Sequence, residues 1–138
     1  MTSSHRPTII ILGASYAGLM ACARLLHNHQ DLNIIVIDAK SHFEQKIRLH
    51  ETLVGATTKS FALEPVLKKR GVTFIQAQVT QISPSSQKVS LKNRETLSYD
   101  YLIYALGSVA SAKINGSQQY ALHLTDRQSL QGMATHLQ

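Results

Sequence analysis

The chain has 138 residues, 43% of them hydrophobic and 16% charged, the balance of a single globular domain with a real core. That balance excludes a disordered segment, and no apolar run reaches the roughly 18 residues that a membrane-crossing helix requires. A formal charge of +6 is scattered along the chain and marks no nucleic-acid surface, while a lone cysteine excludes an internal disulfide framework and suits a reducing compartment.

The first element is Thr8 to Leu12, a continuous β-branched apolar run of the kind found in a parallel strand buried on both faces. A helix should follow from about Tyr16 to His29. It contains no proline, places Leu19, Ala23 and Leu26 on one face, and has small residues at Ala14, Gly18 and Ala21 that let it lie close to a sheet. Leu32 to Asp38 then reads as a second buried strand, closing a βαβ unit of right-handed crossover. The same stretch admits a secretion reading, because His5-Arg6 precede an apolar run that ends in Leu19-Met20-Ala21-Cys22, a lipoprotein-type cleavage box. Gly13, Ser15, Tyr16 and Gly18 interrupt that run, and they fit the strand, turn and helix that the downstream strand requires.

After the second strand the pattern is a loop, one short helix and several strands. The helix has Pro65 near its first turn, Gly71 just past its end, and Val66 and Leu67 as apolar contacts. Lys68-Lys69-Arg70, the densest basic run, falls at its C-terminal end, where cations offset the helix dipole. Val72 to Ile82 reads as one long strand, "SPSSQ" turns it, Lys88 to Leu91 returns, "KNRE" turns again, and Thr96 to Tyr104 is a final strand. The expected result is a three-stranded meander inserted in the crossover.

The turn of the βαβ unit, Gly13-Ala14-Ser15-Tyr16-Ala17-Gly18, stands where a dinucleotide-binding turn reads G-x-G-x-x-G. Gly13 can take backbone angles closed to other residues. Position 15 must be small so that the main chain can approach a pyrophosphate, and Gly18 removes a side chain where helix meets strand. Ser15 replaces the middle glycine by the addition of one CH2OH group, whose hydroxyl is itself a phosphate ligand by chemistry. The helix N-terminus supplies free N–H groups and partial positive charge. Asp38 ends the second strand 20 residues past Gly18 (38 − 18), where a carboxylate can accept hydrogen bonds from ribose hydroxyls. Next to it, Ala39 and Lys40 fall at the adenine edge of such a site, with a plain surface lysine as the other reading of Lys40. His5, His27, His29, His42, His123 and His136 lack ligand-like spacing, and no metal site is expected.

Three passages together, "ILGASYAGLMAC" with Asp38, "HFEQKIRLHETLVGA" and "LSYDYLIYALGS", resemble the N-terminal FAD-binding part of the two-dinucleotide-binding-domain flavoproteins. The resemblance is nearest to the branch of type II NADH dehydrogenases and apoptosis-inducing-factor-like oxidoreductases. It implies an α/β fold, a Rossmann-like parallel sheet with an inserted three-stranded antiparallel β-meander, present here incompletely. Residues 1–112 would be the N-terminal portion of the FAD-binding domain. Residues 113–138 would be the linker and first helix leading to an NAD(P)-binding domain, with Thr125 as the N-cap.

The resemblance also implies site residues. Family members usually read Ala-Thr-Gly where this chain has Ala105-Leu106-Gly107, and there Ala105 and Gly107 pass close to the flavin nucleotide through their backbone. Arg48 would contact phosphate and tune the flavin, its other reading being a surface arginine paired with Glu44 or Glu51. His50 would lie at the flavin edge or be structural, and the Val79 main chain would lie against adenine. The disulfide reductases of the family carry a Cys-x4-Cys pair after the second strand. Residues 39–55 have no cysteine, so dithiol chemistry is excluded and Cys22 is a small core residue.

Two functions remain open. One is an NAD(P)H-dependent oxidoreductase in which the flavin accepts hydride and passes electrons to a quinone-like acceptor, with no catalytic side chain in this stretch. The other is a nucleotide-binding module with a structural or redox-sensing role. The implied partners are FAD, NAD(P)H and the acceptor, with no nucleic acid. The implied location is cytoplasmic with peripheral contact at the inner membrane face, and a homodimer is left open.

Overall fold

The computed structural model describes residues 6–29, 31–54, 56–108, 114–120, 130 and 132–133. The chain divides into two compact units, Met1–Phe43 with Ala62–Gly107, and Glu44–Phe61 with Ser108–Gln138.

The first unit is built on β1 (Thr8–Leu12), α1 (Tyr16–Asn28) and β2 (Asn33–Asp38). β3 (His42–Glu44) and β4 (Ser60–Ala62) pair as a short two-stranded ribbon, and α2 (Leu63–Lys68) follows. Then come β5 (Thr73–Gln76), β6 (Val79–Ser83), β7 (Lys88–Leu91), β8 (Thr96–Ser98) and β9 (Tyr101–Tyr104). β5, β2, β1 and β9 lie side by side in that order in one all-parallel sheet, whereas β6, β7 and β8 form an antiparallel meander.

β1 is apolar at every position after Thr8 because both of its faces are covered. Ile9 and Ile11, with Ile34 and Val36 of β2, pack under the helices against Cys22, Leu63 and Leu67. Ile10 and Leu12, with Ile37, pack on the opposite face against Val89 and Leu91 of the meander. The period-2 alternation of strand side chains thus sends one apolar run into two separate cores.

Four expectations need correction. α1 turns toward the sheet through Gly18, Cys22 and Leu25, at i, i+4 and i+7, with Leu19, Ala21 and Leu26 beside them, and Ala23 faces solvent. Gly18 is the point of closest approach, where a side chain would strike the Gly13 carbonyl, and the inner line runs on from it through Cys22 and Leu25. In α2, Leu63 and Leu67 make the buried pair at i and i+4, while Val66 is 44% exposed.

The run Val72–Ile82 is two strands in two sheets. Ala77 donates its N–H to Asp38 at 2.9 Å in the parallel sheet, but Gln78 accepts from Lys92 at 2.9 Å in the meander. Thr96–Tyr104 divides likewise. Tyr99 donates to Gln87 of the meander at 3.0 Å, and Asp100 donates to Thr8 of β1 at 2.9 Å while its carboxylate accepts from the Thr8 N–H at 2.7 Å. Hydrophobic alternation continues unbroken through a strand that changes sheets, so periodicity carries no mark of the switch.

In the second unit a 3-10 helix, Lys46–Val54, places Leu49 in a small apolar cluster with Leu130 and Met133. A further short helix, α3, covers Ser117–Tyr120. Thr125 and the stretch 121–129 lie outside the described residues.

Candidate functional site

The order β5-β2-β1-β9 reverses direction at β1: the chain goes from β1 outward to β2 on one side and later returns to β9 on the other. In an open parallel sheet such a reversal leaves a crevice outside the carboxyl ends of the strands. The loops leaving β1, β2 and β9 all open there.

The β1–α1 turn is held by its backbone. Gly13 has φ +98°, a conformation that side chains disfavour, and its N–H donates to the Ile37 carbonyl at 2.8 Å. A Cβ at Gly13 would be driven onto the carbonyl oxygen of Ala105, whose own N–H donates to Leu12 at 2.8 Å. A Cβ at Gly18 would be driven onto the Gly13 carbonyl oxygen. These two glycines are therefore required by close approach: one lets β9's exit cross the turn, the other seats the helix on it.

Counting the N–H donors along the turn shows what it offers. The Gly13 N–H is used by Ile37, the Ala14 N–H donates to Asp38 Oδ2 at 2.7 Å, and the Leu19 N–H returns to Ser15 O at 3.0 Å. The four between, on Ser15, Tyr16, Ala17 and Gly18, meet no acceptor among the described residues. Ser15 is the N-cap residue, in extended conformation (φ −89°, ψ −163°), yet its hydroxyl makes no cap hydrogen bond. A serine at this position ordinarily satisfies one of those N–H groups. Here donors and hydroxyl stay available to an anion, reinforced by the positive end of α1.

Asp38 stands beside the turn at the end of β2. Its Oδ2 accepts from Ala14 and its Oδ1 accepts from the Lys40 N–H at 2.8 Å. Across the strand pair Asp38 is in register with Gln76 of β5, whose amide Nε2 donates to the Ala39 carbonyl at 3.4 Å. Tyr16, in the first turn of α1, meets the Phe43 ring edge-on with centroids 5.1 Å apart. Ala105 and Gly107 follow β9 at the other lip, Gly107 with φ +76°, and Leu106 between them is exposed. Val79 opens β6 opposite Leu91, with a bulge before Gln81.

Gly13 to Gly18, Asp38, Ala39, Lys40, Ala105 and Gly107 thus come from three loops at one end of one sheet. Arg48 and His50 belong to the second unit. There the Arg48 guanidinium is forked onto Glu51, Nε to Oε1 at 2.8 Å and a terminal nitrogen to Oε2 at 2.7 Å, which is the surface-pair alternative. That hydrogen bonding holds the Glu51 carboxyl below its ordinary range. Sequence reasoning missed the Asp38–Ala14 bond and the Phe43 contact. The first had a signal: pairing Leu12 with Ile37 brings the residues after each strand together.

The crevice has an anion cradle and a carboxylate but no cysteine. Cys22, the lone cysteine, is buried in α1, and burial pushes its thiol up, with Arg70 pulling it partly back. No group of three or more His, Cys, Asp and Glu that could hold a metal ion occurs among the described residues, and no described helix is long and apolar enough to cross a membrane.

Residues 7–136 match the family described as pyridine nucleotide-disulphide oxidoreductase. A type II NADH:quinone oxidoreductase of Staphylococcus haemolyticus is 29% identical over 142 residues, which is 99% of this chain and 35% of the relative. The chain therefore spans about a third of the length of the curated relatives it matches. Among solved structures, the sulfide:quinone oxidoreductase of Aquifex aeolicus superposes with a TM-score of 0.91 at 20% identity, covering 95% of this chain and 31% of that one. NDH2 of Plasmodium falciparum in complex with NADH gives 0.78 at 21%, covering 94% and 28%. The likeness to these structures establishes the fold.

Proposed function

The chain belongs to the pyridine nucleotide-disulphide oxidoreductase family, and on that premise we propose that it is the FAD-binding portion of an NAD(P)H-dependent flavoprotein oxidoreductase with a quinone-like acceptor. The observation that supports this is the row of four N–H groups, Ser15 to Gly18, that meet no acceptor among the described residues, at the sheet's reversal point with Asp38 alongside. The donors present fit a dinucleotide. A diphosphate needs N–H groups and close backbone approach, which Gly13 and Gly18 allow, and the adjoining ribose needs an acceptor, which Asp38 provides.

When bound, the flavin would supply hydride acceptance from NAD(P)H and onward electron transfer. The residues here bind and orient. The first turn of α1 neutralises diphosphate charge, Ser15 adds a hydroxyl donor, and Asp38 takes a ribose hydroxyl. Lys40 and the Val79 main chain border the adenine, and the backbone at Ala105 and Gly107 closes the opposite lip. Arg48, paired with Glu51, would contact a phosphate, the role that the family resemblance gives it. A membrane-dissolved quinone as acceptor implies peripheral work at the inner membrane face, on the cytoplasmic side, and homodimerisation is a further proposal of this reading.

The test is titration of the purified chain with FAD, followed by flavin absorption near about 450 nm and by fluorescence. FAD should bind weakly at best to this portion of the site, ADP should compete, and FMN, which lacks the adenylate half, should bind more weakly still. No binding of FAD or ADP would sink the assignment. NADH oxidation with a soluble quinone is read separately, and none above the free-flavin background is expected from these 138 residues alone.

A further inference from the structure

We infer that Asp38 is a positioning residue, whose carboxylate holds the Gly13–Gly18 turn in its anion-binding shape before any ligand arrives. The bond from the Ala14 N–H spans 24 residues and ties the β1–α1 turn to the end of β2, while the bond from the Lys40 N–H fixes the carboxylate's other oxygen. Without Asp38 the Ala14 N–H has no other partner among the described residues, and among them the turn would be held at that end by Gly13 on Ile37. The brace stands on this geometry alone, and its consequence for ligand binding rests on the dinucleotide reading above. Half the acceptor capacity of the carboxylate is already committed to the protein's own backbone.

The chemistry of the two neighbours separates bracing from simple ribose binding. An ionised carboxylate only accepts, and both of its protein partners only donate. Replacing Asp38 by asparagine turns one oxygen into an NH2 group that would face an N–H, so one of the two bonds becomes a donor–donor contact. A ribose hydroxyl, in contrast, both donates and accepts, and it tolerates the amide. Asp38→Asn is therefore damaging to a brace and mild for a ribose contact.

Amide hydrogen exchange on the ligand-free full chain reads the brace directly. In the unaltered protein the Ala14 amide should exchange slowly. In Asp38→Asn, and in Asp38→Ala, which removes both acceptors, Ala14 should exchange on the order of tenfold faster or more, while Ile10 and Ile11 in the sheet stay protected. Stopped-flow mixing with FAD supplies the second reading. Asp38→Asn should slow association, because fewer molecules hold the competent turn, and leave dissociation nearly unchanged. An Ala14 amide that exchanges at a free-loop rate in the unaltered protein would overturn the inference, and so would dissociation that quickens while association is unchanged. If FAD binds neither protein, the dinucleotide reading falls, and the exchange rates still decide the brace.

Discussion

Replacing Gly18 by alanine sets two magnitudes of opposite sign against each other. Gly18 lies in the first turn of α1, where alanine is favoured over glycine by about 1 kcal/mol on helix propensity alone. The added methyl, however, lands on the Gly13 carbonyl oxygen, with Ile11 Cγ2 at 3.4 Å behind it. Overpacking a core costs about 1–3 kcal/mol when side chains can move aside. Here the obstacle is backbone, pinned by the bond from Gly13 to Ile37, so the upper end applies and the net loss is about 2 kcal/mol. For a chain of this size that corresponds to a fall in Tm of roughly 6 to 12 °C. Ala23→Gly is the control, because Ala23 faces solvent in the same helix and should lose about 1 kcal/mol through propensity alone. Calorimetry or thermal circular dichroism of both variants decides the matter. A rise in Tm for Gly18→Ala would mean that helix and turn are not in contact, and the cradle geometry would be wrong with it.

Ser15→Gly should weaken FAD binding only modestly, by the one hydroxyl donor it removes, whereas Ser15→Leu should eliminate it by filling the space where diphosphate meets backbone; full flavin occupancy in the leucine variant would show that this turn does not carry the phosphate. Burial raises the Cys22 thiol above its ordinary value of 9.0, so the stability it contributes is whole at neutral pH and declines as pH rises through that value toward the folded one, where only the unfolded chain sheds the proton. Denaturant midpoints between about pH 8 and about pH 10 should therefore fall less steeply in Cys22→Ala than in the unaltered protein, and identical slopes would refute a buried, neutral thiol.

β1 and β2 were legible in the sequence because a strand buried on both faces leaves an unmistakable apolar run, and Gly13, Gly18 and Asp38 were legible because their spacing follows from one βαβ unit. The breaks at Ala77–Gln78 and Tyr99–Asp100 were not. Each is a change of hydrogen-bonding partner inside an unbroken alternation, settled by contacts with Lys92, Gln87 and Thr8 far along the chain. The inner face of α1 was misread for a related reason. A residue scale credits Ala23 with apolar character, but the inner line of α1 is set by where Gly18 seats the helix on the turn, which carries Cys22 and Leu25 inward and leaves Ala23 outside. For Arg48 the sequence left Glu44, Glu51 and a phosphate open as partners, and the structure shows the pair with Glu51, three residues away.

The division of labour at the crevice explains why so few side chains carry chemical information there. On the proposed reading, binding is offered by main-chain N–H groups, whose direction depends on where β1 ends and α1 begins, and almost any residue can supply an N–H. Side-chain identity matters at positions that place the backbone: Gly13 and Gly18, where a Cβ would strike a carbonyl, and Asp38, where an acceptor meets two donors. Ser15 is the exception, a side chain that adds a donor without placing anything, and its uncapped hydroxyl is the one feature of the turn that a glycine could not reproduce. A ligand with two adjacent phosphates could use that hydroxyl together with the four N–H groups. A site selected only to cap its own helix would have turned the hydroxyl inward onto Ala17 or Gly18.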